Sequence, residues 1–377
     1  MRIIEEEQLD LDDVSIMPKR SSLNSRSEVD LWRTFKWTSA SGTKHELICK
    51  PLIVANMATV GTQRMALSVI PRGYLCALEK HYSNDAIINT YNELRKLANE
   101  DDVAPSVYTG KLAVSIGLRE TLDQLVDLKS RNYIPNIINI DAPNGYCPNM
   151  TKRVKEVREL FPEAFIIAGV VVTGDIVADL LMSGANCIRL GICCGSVCLT
   201  SQKTGVRRPV VSMLNECSDA AHNLKGYTML DGGIRCPADW CKATIAGADM
   251  CMSGSIFAGT DEAEGDIIEK TYMTDEMCNN QHVMKVKKFK RYFGMSTDYA
   301  QEHYFGGVKK YRTSEGRQKL IPYAGSLDDV LRDYEGGMRS MMCFIGAKDF
   351  KSIQRHGTLY KVHHQINDKF ASYEDFE

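Results

Sequence analysis

The sequence lacks long hydrophobic segments and an excess of charge of either sign. No apolar run approaches the roughly 20 residues that a helix needs to cross a bilayer, and the longest, residues 165–172, has the length of a strand. The 46 basic and 48 acidic side chains leave a net charge of -2, which argues against a protein that binds nucleic acid through its overall charge. Residues Met1 to Glu7 place acids where a signal peptide has its apolar core, so we expect neither a signal peptide nor a membrane partner.

The cysteines lack the spacing of a zinc site or of a disulfide framework. Thirteen are present, an odd number, and most lie within apolar stretches. No two have the two-residue separation typical of zinc ligands. Such cysteines are typical of reduced thiols in a cytoplasmic protein. With 44% hydrophobic and 25% charged residues, the chain has the composition of a folded globular protein, which excludes extended disorder.

What the sequence does contain is eight short, apolar, β-rich segments that alternate with longer amphipathic ones. Near-continuous apolar strands that alternate with helices indicate a parallel sheet covered on both faces. Eight such units predict an α/β fold, a closed (β/α)8 TIM barrel. An open doubly wound sheet is the alternative, although no GxGxxG motif follows the first strand. The predicted strands are 51–55, 74–78, 112–116, 136–141, 165–169, 186–191, 227–231 and 249–253.

We expect a single domain over residues 1–377. Its barrel strands would occupy about 51–255, and a C-terminal segment would follow at 326–377. Between them, about residues 260–325 are rich in charges and aromatic side chains, which favours an active-site flap inserted after strand eight. The loops at the carboxyl ends of the strands build the active site of such a barrel, so the catalytic residues are expected in those loops.

The segment after predicted strand six, Gly191 to Thr200, contains two glycines, a serine and three cysteines. Glycine allows the backbone to approach an anion closely, and the Ser196 hydroxyl can donate a hydrogen bond to a phosphate. Cys198 would then be an exposed thiol whose pKa is lowered by the neighbouring amide dipoles. The alternative is an ordinary turn between strand and helix that contains a buried cysteine.

Two further glycine-rich turns follow strands seven and eight. Asp231-Gly232-Gly233 ends one strand and Ser253-Gly254-Ser255 ends the next. Adjacent turns of this kind often bind phosphate in such barrels, and Asp231 is placed to accept hydrogen bonds from ribose hydroxyls. Together they predict a site for a nucleoside monophosphate, with a helix-capping role for Asp231 as the alternative.

Charged residues dominate the segment between the barrel and the C-terminal segment. Tyr311 to Arg317 combines an arginine, a serine and a carboxylate, which suits a lid that positions a general acid or base. A solvated charged loop is the alternative. The basic run Lys285 to Arg291 is interpreted as the solvated face of a helix, with phosphate contacts or a nuclear signal as alternatives.

Taken together, these motifs resemble the IMP dehydrogenase and GMP reductase family, from Leu9 to about Gly346. Its reductase branch is the more similar, because strands two and three are too close for the module that many dehydrogenases insert there. The segments that carry the resemblance are Leu9-Asp-Leu-Asp-Asp-Val, Pro18-Lys-Arg-Ser, Ser25-Arg-Ser-Glu-Val-Asp-Leu, Asn56-Met57, Glu79-Lys-His-Tyr-Ser, Asp141 with Asn144-Gly-Tyr, Gly195-Ser-Val-Cys198, Lys203-Thr-Gly-Val, Asp231-Gly-Gly, Phe293-Gly-Met-Ser and Tyr311-Arg-Thr-Ser-Glu-Gly.

The resemblance implies an NADPH-dependent reductive deamination of GMP to IMP and ammonia, in purine nucleotide salvage. The Cys198 thiolate would attack carbon 2 of the guanine ring, ammonia would leave, and a hydride from NADPH would release IMP from the covalent thioimidate. Thr200 and Glu315 would relay the proton that the leaving amine needs. A homotetramer is implied as well.

The resemblance also implies which residues bind each ligand. The substrate residues would be Ser196, Asp231, Gly232, Gly233, Gly254, Ser255, Gly294, Met295, Ser296, Arg312, Ser314 and Gly316. The cofactor residues would be Ser25, Arg26, Lys80, Asp141, Ala142, Pro143, Ile192, Cys193, Met295 and Arg312, with Ser340 from a neighbouring subunit. A potassium ion would be bound by Cys193, Gly195, Cys198 and Ser201.

The sequence departs from the family pattern at several positions near this predicted site. Ala58 stands where the family usually has aspartate, and Val170 stands where it has asparagine. Cys193-Cys194 replaces Gly-Pro, and Leu199 replaces a threonine. These departures leave two alternatives to a GMP reductase: a family member that acts on another purine nucleotide, or a weakly catalytic nucleotide-binding regulatory protein.

Overall fold

The computed structural model describes residues 3–39, 41–118, 122–278, 281–305 and 314–362. The strands are β1 (Val14–Ile16), β2 (Arg33–Thr38), β3 (Lys44–Cys49), β4 (Leu52–Val54), β5 (Leu75–Ala77), β6 (Leu112–Ile116), β7 (Ile137–Asp141), β8 (Phe165–Val171), β9 (Cys187–Leu190), β10 (Tyr227–Asp231), β11 (Met250–Ser253), β12 (Ile267–Cys278), β13 (Gln281–Phe293), β14 (Gln318–Pro322) and β15 (Leu359–Lys361).

The α-helices are α1 (Gln63–Val69), α2 (Asn84–Glu100), α3 (Pro105–Thr109), α4 (Asp123–Ser130), α5 (Pro148–Leu160), α6 (Gly174–Met182), α7 (Thr200–Thr204), α8 (Val210–Asn223), α9 (Pro237–Ala246), α10 (Ser255–Ala258), α11 (Asp298–Phe305), α12 (Leu327–Ile345) and α13 (Ile353–His356). Short 3-10 turns lie at Leu11–Asp13, Arg26–Glu28 and Phe350–Ser352. Among the residues described here, no helix combines the length and apolar character that crossing a membrane requires.

Strands β4 to β11 form a closed parallel barrel in which β11 pairs with β4. All eight predicted strands are therefore confirmed, and the open doubly wound sheet is excluded. The strands are largely apolar because both faces are covered, as in β8, where all seven residues are buried. Helices between successive strands pack against the outside of the barrel, for example α8 against β10.

A hairpin of β2 and β3 covers the amino-terminal end of the barrel. The Phe35 ring on β2 lies edge-on to Phe165, with 6.2 Å between the ring centroids, and to Tyr227, with 5.0 Å. Phe165 and Tyr227 are the first residues of β8 and β10, so the hairpin closes the end of the barrel opposite to the predicted site. Burial of such a ring contributes about 1.5–3 kcal/mol.

Buried charges fix the same end of the barrel. Arg33 forms an ion pair with the Asp249 carboxylate and also donates a hydrogen bond to the Asp249 backbone oxygen, at 3.2 Å. His222 on α8 lies 2.9 Å from the other carboxylate oxygen of Asp249. Burial alone would raise the pKa of Asp249, but Arg33 and His222 outweigh it and the pKa is lowered. The carboxylate thus connects the hairpin, a helix and the barrel wall.

After the last barrel strand, β12, β13 and β14 form an antiparallel sheet. Residues Lys285 to Arg291 belong to β13, so the interpretation of this basic run as a helix face is wrong. The run is extended because its backbone pairs with β12 and β14. Both partner strands lie outside the run, so its own sequence does not reveal the pairing. Lys290 anchors the sheet to the barrel, because its buried ammonium donates hydrogen bonds to the Thr260 and Ala263 backbone oxygens, at 3.0 Å and 2.6 Å.

Candidate active site

Three side chains predicted to be catalytic form one hydrogen-bonded chain. The loop after β9 holds Cys198, and α7 begins at Thr200. The Cys198 Sγ lies 3.2 Å from the Thr200 Oγ1, and that hydroxyl donates a hydrogen bond to the Glu315 Oε2 at 2.7 Å. Glu315 lies 115 residues beyond Thr200, so the fold brings the carboxylate to the thiol from a distant part of the chain.

Backbone contacts hold the Glu315 segment against the cysteine loop. The Leu199 N–H donates a hydrogen bond to the Glu315 backbone oxygen at 2.6 Å. Cys198 and Gly316 form an isolated antiparallel β-bridge. Arg317 donates from its backbone to the Val197 oxygen at 2.9 Å and from its Nε to the Ser196 oxygen at 3.0 Å. These hydrogen bonds place the Glu315 backbone beside the cysteine loop, and the hydrogen bond from Thr200 holds its carboxylate.

The burial and the pKa of the Cys198 thiol differ from what the sequence predicts. It is partly buried, and burial raises its pKa above the ordinary cysteine value, although hydrogen bonds from Thr200 act in the opposite direction. The predicted lowering of this pKa by loop amides is wrong, because desolvation of the thiolate exceeds their effect. The free protein therefore holds a protonated thiol, which needs a base before it can act as a nucleophile.

The glycine turns after β10 and β11 lie beside the cysteine loop. Gly232 has a φ of +82°, and a Cβ atom there would lie 2.9 Å from the Gly195 backbone nitrogen, so only glycine allows the two loops to approach this closely. The Ser196 hydroxyl is buried and has no hydrogen-bond partner within the described part of the chain. Ser196, Gly232 and Gly233, all predicted phosphate residues, are thus adjacent, and Ser196 has a donor available for a ligand.

The segment before α11 and the Glu315 segment contact each other above this loop. Ser314 donates a hydrogen bond to the Ser296 backbone oxygen at 3.0 Å, and a Cβ on Gly294 would contact the Val197 side chain at 3.4 Å. Of the predicted substrate residues here, Gly294, Met295, Ser296, Ser314 and Gly316 are described, whereas Arg312 lies outside the described residues.

The sequence analysis missed Tyr292, which packs against the last glycine turn. Its hydroxyl lies 3.0 Å from the Met57 Sδ, and a Cβ on Gly254 would lie 2.2 Å from the same oxygen. Burial raises the pKa of Tyr292, so the phenol stays protonated. Gly254 and the adjacent Ser255, both predicted phosphate residues, therefore lie under the end of β13.

Arg189 is a second residue that the sequence analysis missed. From β9 its guanidinium pairs with Asp141 on β7, at 2.8 Å, and with Asp231 on β10, at 2.7 Å. Burial would raise the pKa of Asp141, but Arg189 and then Lys80 lower it. Asp231 is engaged with Arg189 and does not cap a helix, since α9 is preceded by Cys236. An arginine inside an apolar barrel strand is the sequence signal that could have identified this network.

Three predicted cofactor residues line one pocket on the outside of the barrel. Ser25 lies directly before a 3-10 turn that begins at Arg26, and Ser340 lies on α12. Within this chain Ser340 lies beside Ser25 and Arg26, and its contribution to the site of a neighbouring subunit stays a prediction. The cavity has a volume of about 310 Å³, and its lining is completed by Leu23, Asn24, Cys343 and Phe344.

The sequence matches the family model described as IMP dehydrogenase / GMP reductase domain over residues 8–367. The chain belongs to this family. It is 38% identical to GMP reductase 2 of Homo sapiens, over 96% of this chain and 97% of that protein. It is 40% identical to GMP reductase 1 of Mus musculus, over 98% and 99%, and 38% identical to GMP reductase of Phytophthora infestans, over 98% and 95%.

In this family member, the four residues predicted to bind potassium are already linked to one another. The Cys193 thiol lies 3.1 Å from the Ser201 hydroxyl and donates to the Cys198 backbone oxygen at 3.4 Å. The Gly195 oxygen accepts a hydrogen bond from the Cys198 N–H at 3.2 Å. The sulfur of Cys193 thus occupies the space between two of the predicted ligand oxygens, and this set does not fit a potassium ion bound by both of them.

The two departures at the barrel rim have different surroundings. Val170 is 8% exposed on β8, and its backbone oxygen accepts a hydrogen bond from the Gly145 N–H at 3.0 Å. Ala58 lies in the turn after β4, and Glu79 follows the neighbouring strand β5. The Glu79 side chain is 7% exposed, and burial raises its pKa. The rim therefore has no carboxylate at position 58 and a buried one at Glu79.

Proposed function

We propose that this protein is a GMP reductase that converts GMP to IMP and ammonia with NADPH as the reductant. One observation carries the proposal: the hydrogen-bonded chain from the Cys198 thiol through the Thr200 hydroxyl to the Glu315 carboxylate. It contains the nucleophile, the relay and the base that the reaction needs. The names of the relatives support the same reaction.

The first step would form a covalent bond between the Cys198 sulfur and carbon 2 of the guanine ring. The thiol proton would pass to Thr200 while the Thr200 proton passes to Glu315, along hydrogen bonds of 3.2 Å and 2.7 Å. Because the carboxylate accepts a proton at the moment the sulfur attacks, the raised pKa of Cys198 need not limit the reaction.

Departure of ammonia would use the same chain in reverse. The bond between carbon 2 and nitrogen breaks, the amine takes a proton from Thr200, and Thr200 recovers one from Glu315. The resulting thioimidate holds carbon 2 ready for reduction, and bound NADPH would supply the hydride. The Cys198 sulfur then leaves carbon 2 as a thiolate, and IMP is released.

The remaining predicted residues would bind the nucleotides. The unpartnered Ser196 hydroxyl, with Gly233 and Gly254 at the adjacent turns, supports a phosphate site, and Asp231 would accept hydrogen bonds from ribose. Lys80 and Asp141 would contact the cofactor. Arg26, beside two serine hydroxyls in the outer pocket, suits a phosphate group of NADPH.

The test is a direct assay of the purified protein. We expect NADPH absorbance to fall when GMP is added, with one ammonia released for each NADPH consumed. Cys198→Ala should abolish both signals, and Cys236→Ala, which changes an exposed cysteine, should leave them intact. Turnover by the Cys198→Ala variant at the normal rate would refute the covalent mechanism.

A second candidate is a family member that reduces another purine nucleotide. The observation that favours it is the presence of Ala58 and Val170 at the barrel rim, where the family pattern has an aspartate and an asparagine. In that case GMP would bind without NADPH oxidation, and a panel of purine nucleotides would identify the substrate. Binding without turnover of any nucleotide would instead favour a regulatory protein.

We also propose a cytoplasmic homotetramer that acts in purine salvage. Sedimentation velocity of the purified protein tests the tetramer, and a monomer at assay concentrations would contradict it.

A further inference from the structure

Cys193 has an unusual backbone conformation at the start of the cysteine loop. Its φ is +62°, in the left-handed region that residues with a Cβ atom rarely adopt. Glycine would relieve the conformation without a steric cost, and glycine is what the family usually has here. A cysteine in this conformation has to be held by its own contacts.

Those contacts are made by the sulfur atom. It donates a hydrogen bond to the Cys198 oxygen, at 3.4 Å, and lies 3.1 Å from the Ser201 hydroxyl in the first turn of α7. Cys193 therefore connects the beginning of the loop to the peptide of the predicted nucleophile and to the helix that follows. The neighbouring Cys194 has no comparable role within the described residues, where its sulfur contacts the Ile192 oxygen of its own loop, at 4.0 Å.

We infer that the Cys193 thiol takes the place of a monovalent cation in this loop, so that the protein reduces its nucleotide without potassium. The inference rests on the proposed function. A cation would organise the loop by drawing backbone and hydroxyl oxygens toward one point, and the sulfur of Cys193 already links two of these oxygens. Cys193 acts through the orientation of Cys198 and is a positioning residue.

The contacts of the Cys193 thiol also predict the effect of removing its sulfur. Without the sulfur, the Cys198 oxygen and the Ser201 hydroxyl lose their shared partner, and the space between them opens. A residue without a side chain leaves room for an ion at that point. We therefore expect Cys193→Gly to create a cation requirement that the natural protein lacks.

The first experiment compares NADPH oxidation in potassium, sodium and choline chloride at equal ionic strength. We expect the natural protein to have the same kcat in all three. Cys193→Gly should lose on the order of tenfold to a hundredfold in kcat in choline, with little change in KM for GMP, and recover in potassium. Cys193→Ser, whose hydroxyl can donate to the same oxygens, should remain independent of the cation, and Cys194→Ser should behave as the natural protein.

A second measurement does not depend on turnover. In thermal unfolding, potassium should raise the Tm of Cys193→Gly above its value in choline, because a bound ion stabilises the folded state, and should leave the natural protein unchanged. If Cys193→Gly does not fold, Cys193→Ala keeps the Cβ atom, removes the sulfur and serves the same comparison.

Two outcomes would overturn the inference: activation of the natural protein by potassium, or cation-independent activity and Tm in both Cys193→Gly and Cys193→Ala. Failure of the proposed function would be distinguishable from both. In that case no NADPH would be oxidised in any salt, and the Tm comparison would still decide the role of the thiol.

Discussion

At the scale of single residues, the hydrogen-bonded chain from Cys198 to Glu315 is proposed to serve the chemical steps and not the binding of the nucleotide. Glu315 touches the relay hydroxyl, and its position is set by backbone hydrogen bonds. We expect Glu315→Gln to lower kcat by about 10²–10⁴, because the amide cannot accept the relayed proton, and to leave KM for GMP almost unchanged. Steady-state kinetics check this, with Glu302→Gln as a control at an exposed carboxylate. An equal rise in KM would identify Glu315 as a binding residue.

Arg189 on β9 holds in one position two carboxylates from different barrel strands, Asp141 on β7 and Asp231 on β10. Replacing it by methionine would leave Asp141 and Asp231 unpaired at the barrel mouth, so we expect a loss of about 3 kcal/mol in the free energy of unfolding. Arg189→Lys keeps the charge but loses the forked geometry, and its loss should be smaller. Urea titration of the three proteins measures the difference. Equal stability of Arg189→Met and the natural protein would show that the network serves ligand binding alone.

The sequence could predict much of the site but not these contacts. The predicted roles of Cys198, Thr200 and Glu315 came from local motifs together with the family resemblance, whereas Arg189 makes its contacts with residues 48 and 42 positions away. No local pattern contains such pairs. The raised pKa of Cys198 was missed because it results from burial, and the burial follows from the folded loop and its pairing with Gly316, which a local pattern does not contain.

At the scale of elements, the barrel strands were predictable because each is a short apolar run bounded by turns. The basic run of β13 was not, because its conformation comes from pairing with β12 and β14. The hairpin of β2 and β3 depends on distant partners in the same way. Its Phe35 is wholly buried because the ring packs against Phe165 and Tyr227 at the end of the barrel.

Phe35→Ala tests how much this hairpin contributes to stability. We expect a loss of about 3–5 kcal/mol in the free energy of unfolding, since the ring packs against Phe165 and Tyr227 and its removal leaves a cavity. Lys36→Ala, at an exposed position on the same strand, should change stability by less than about 0.5 kcal/mol. A small effect of Phe35→Ala would mean that the hairpin adds little to the barrel.

The contact between α8 and the barrel end should make stability depend on pH. The hydrogen bond to Asp249 raises the pKa of His222 above its unfolded value, so the folded state favours the protonated imidazole. This contribution is fully present below the unfolded pKa, about 6.5, and is lost as the pH rises through the folded pKa. The stability difference between the natural protein and His222→Gln should therefore shrink as the pH rises above about 6.5. A difference that grows over this range would contradict the assignment.

At the scale of the whole molecule, the predicted site depends on parts of the chain that lie outside the barrel strands. The barrel supplies Cys198 and the glycine turns, whereas Glu315 comes from the segment between α11 and β14, and Ser25 and Ser340 come from either side of the barrel sequence. The loop after β9 and its distant partners together make the hydrogen-bonded chain, so neither part alone has the complete set of groups.

The pairing of β1 with β15 joins Val14–Ile16 to Leu359–Lys361. During synthesis, β1 emerges from the ribosome early and has no partner until almost the whole chain has been translated. The barrel can close before that point, because β11, its last strand, ends at Ser253. Folding during synthesis would thus proceed in two stages. The barrel would close first, and β1 would pair with β15 last.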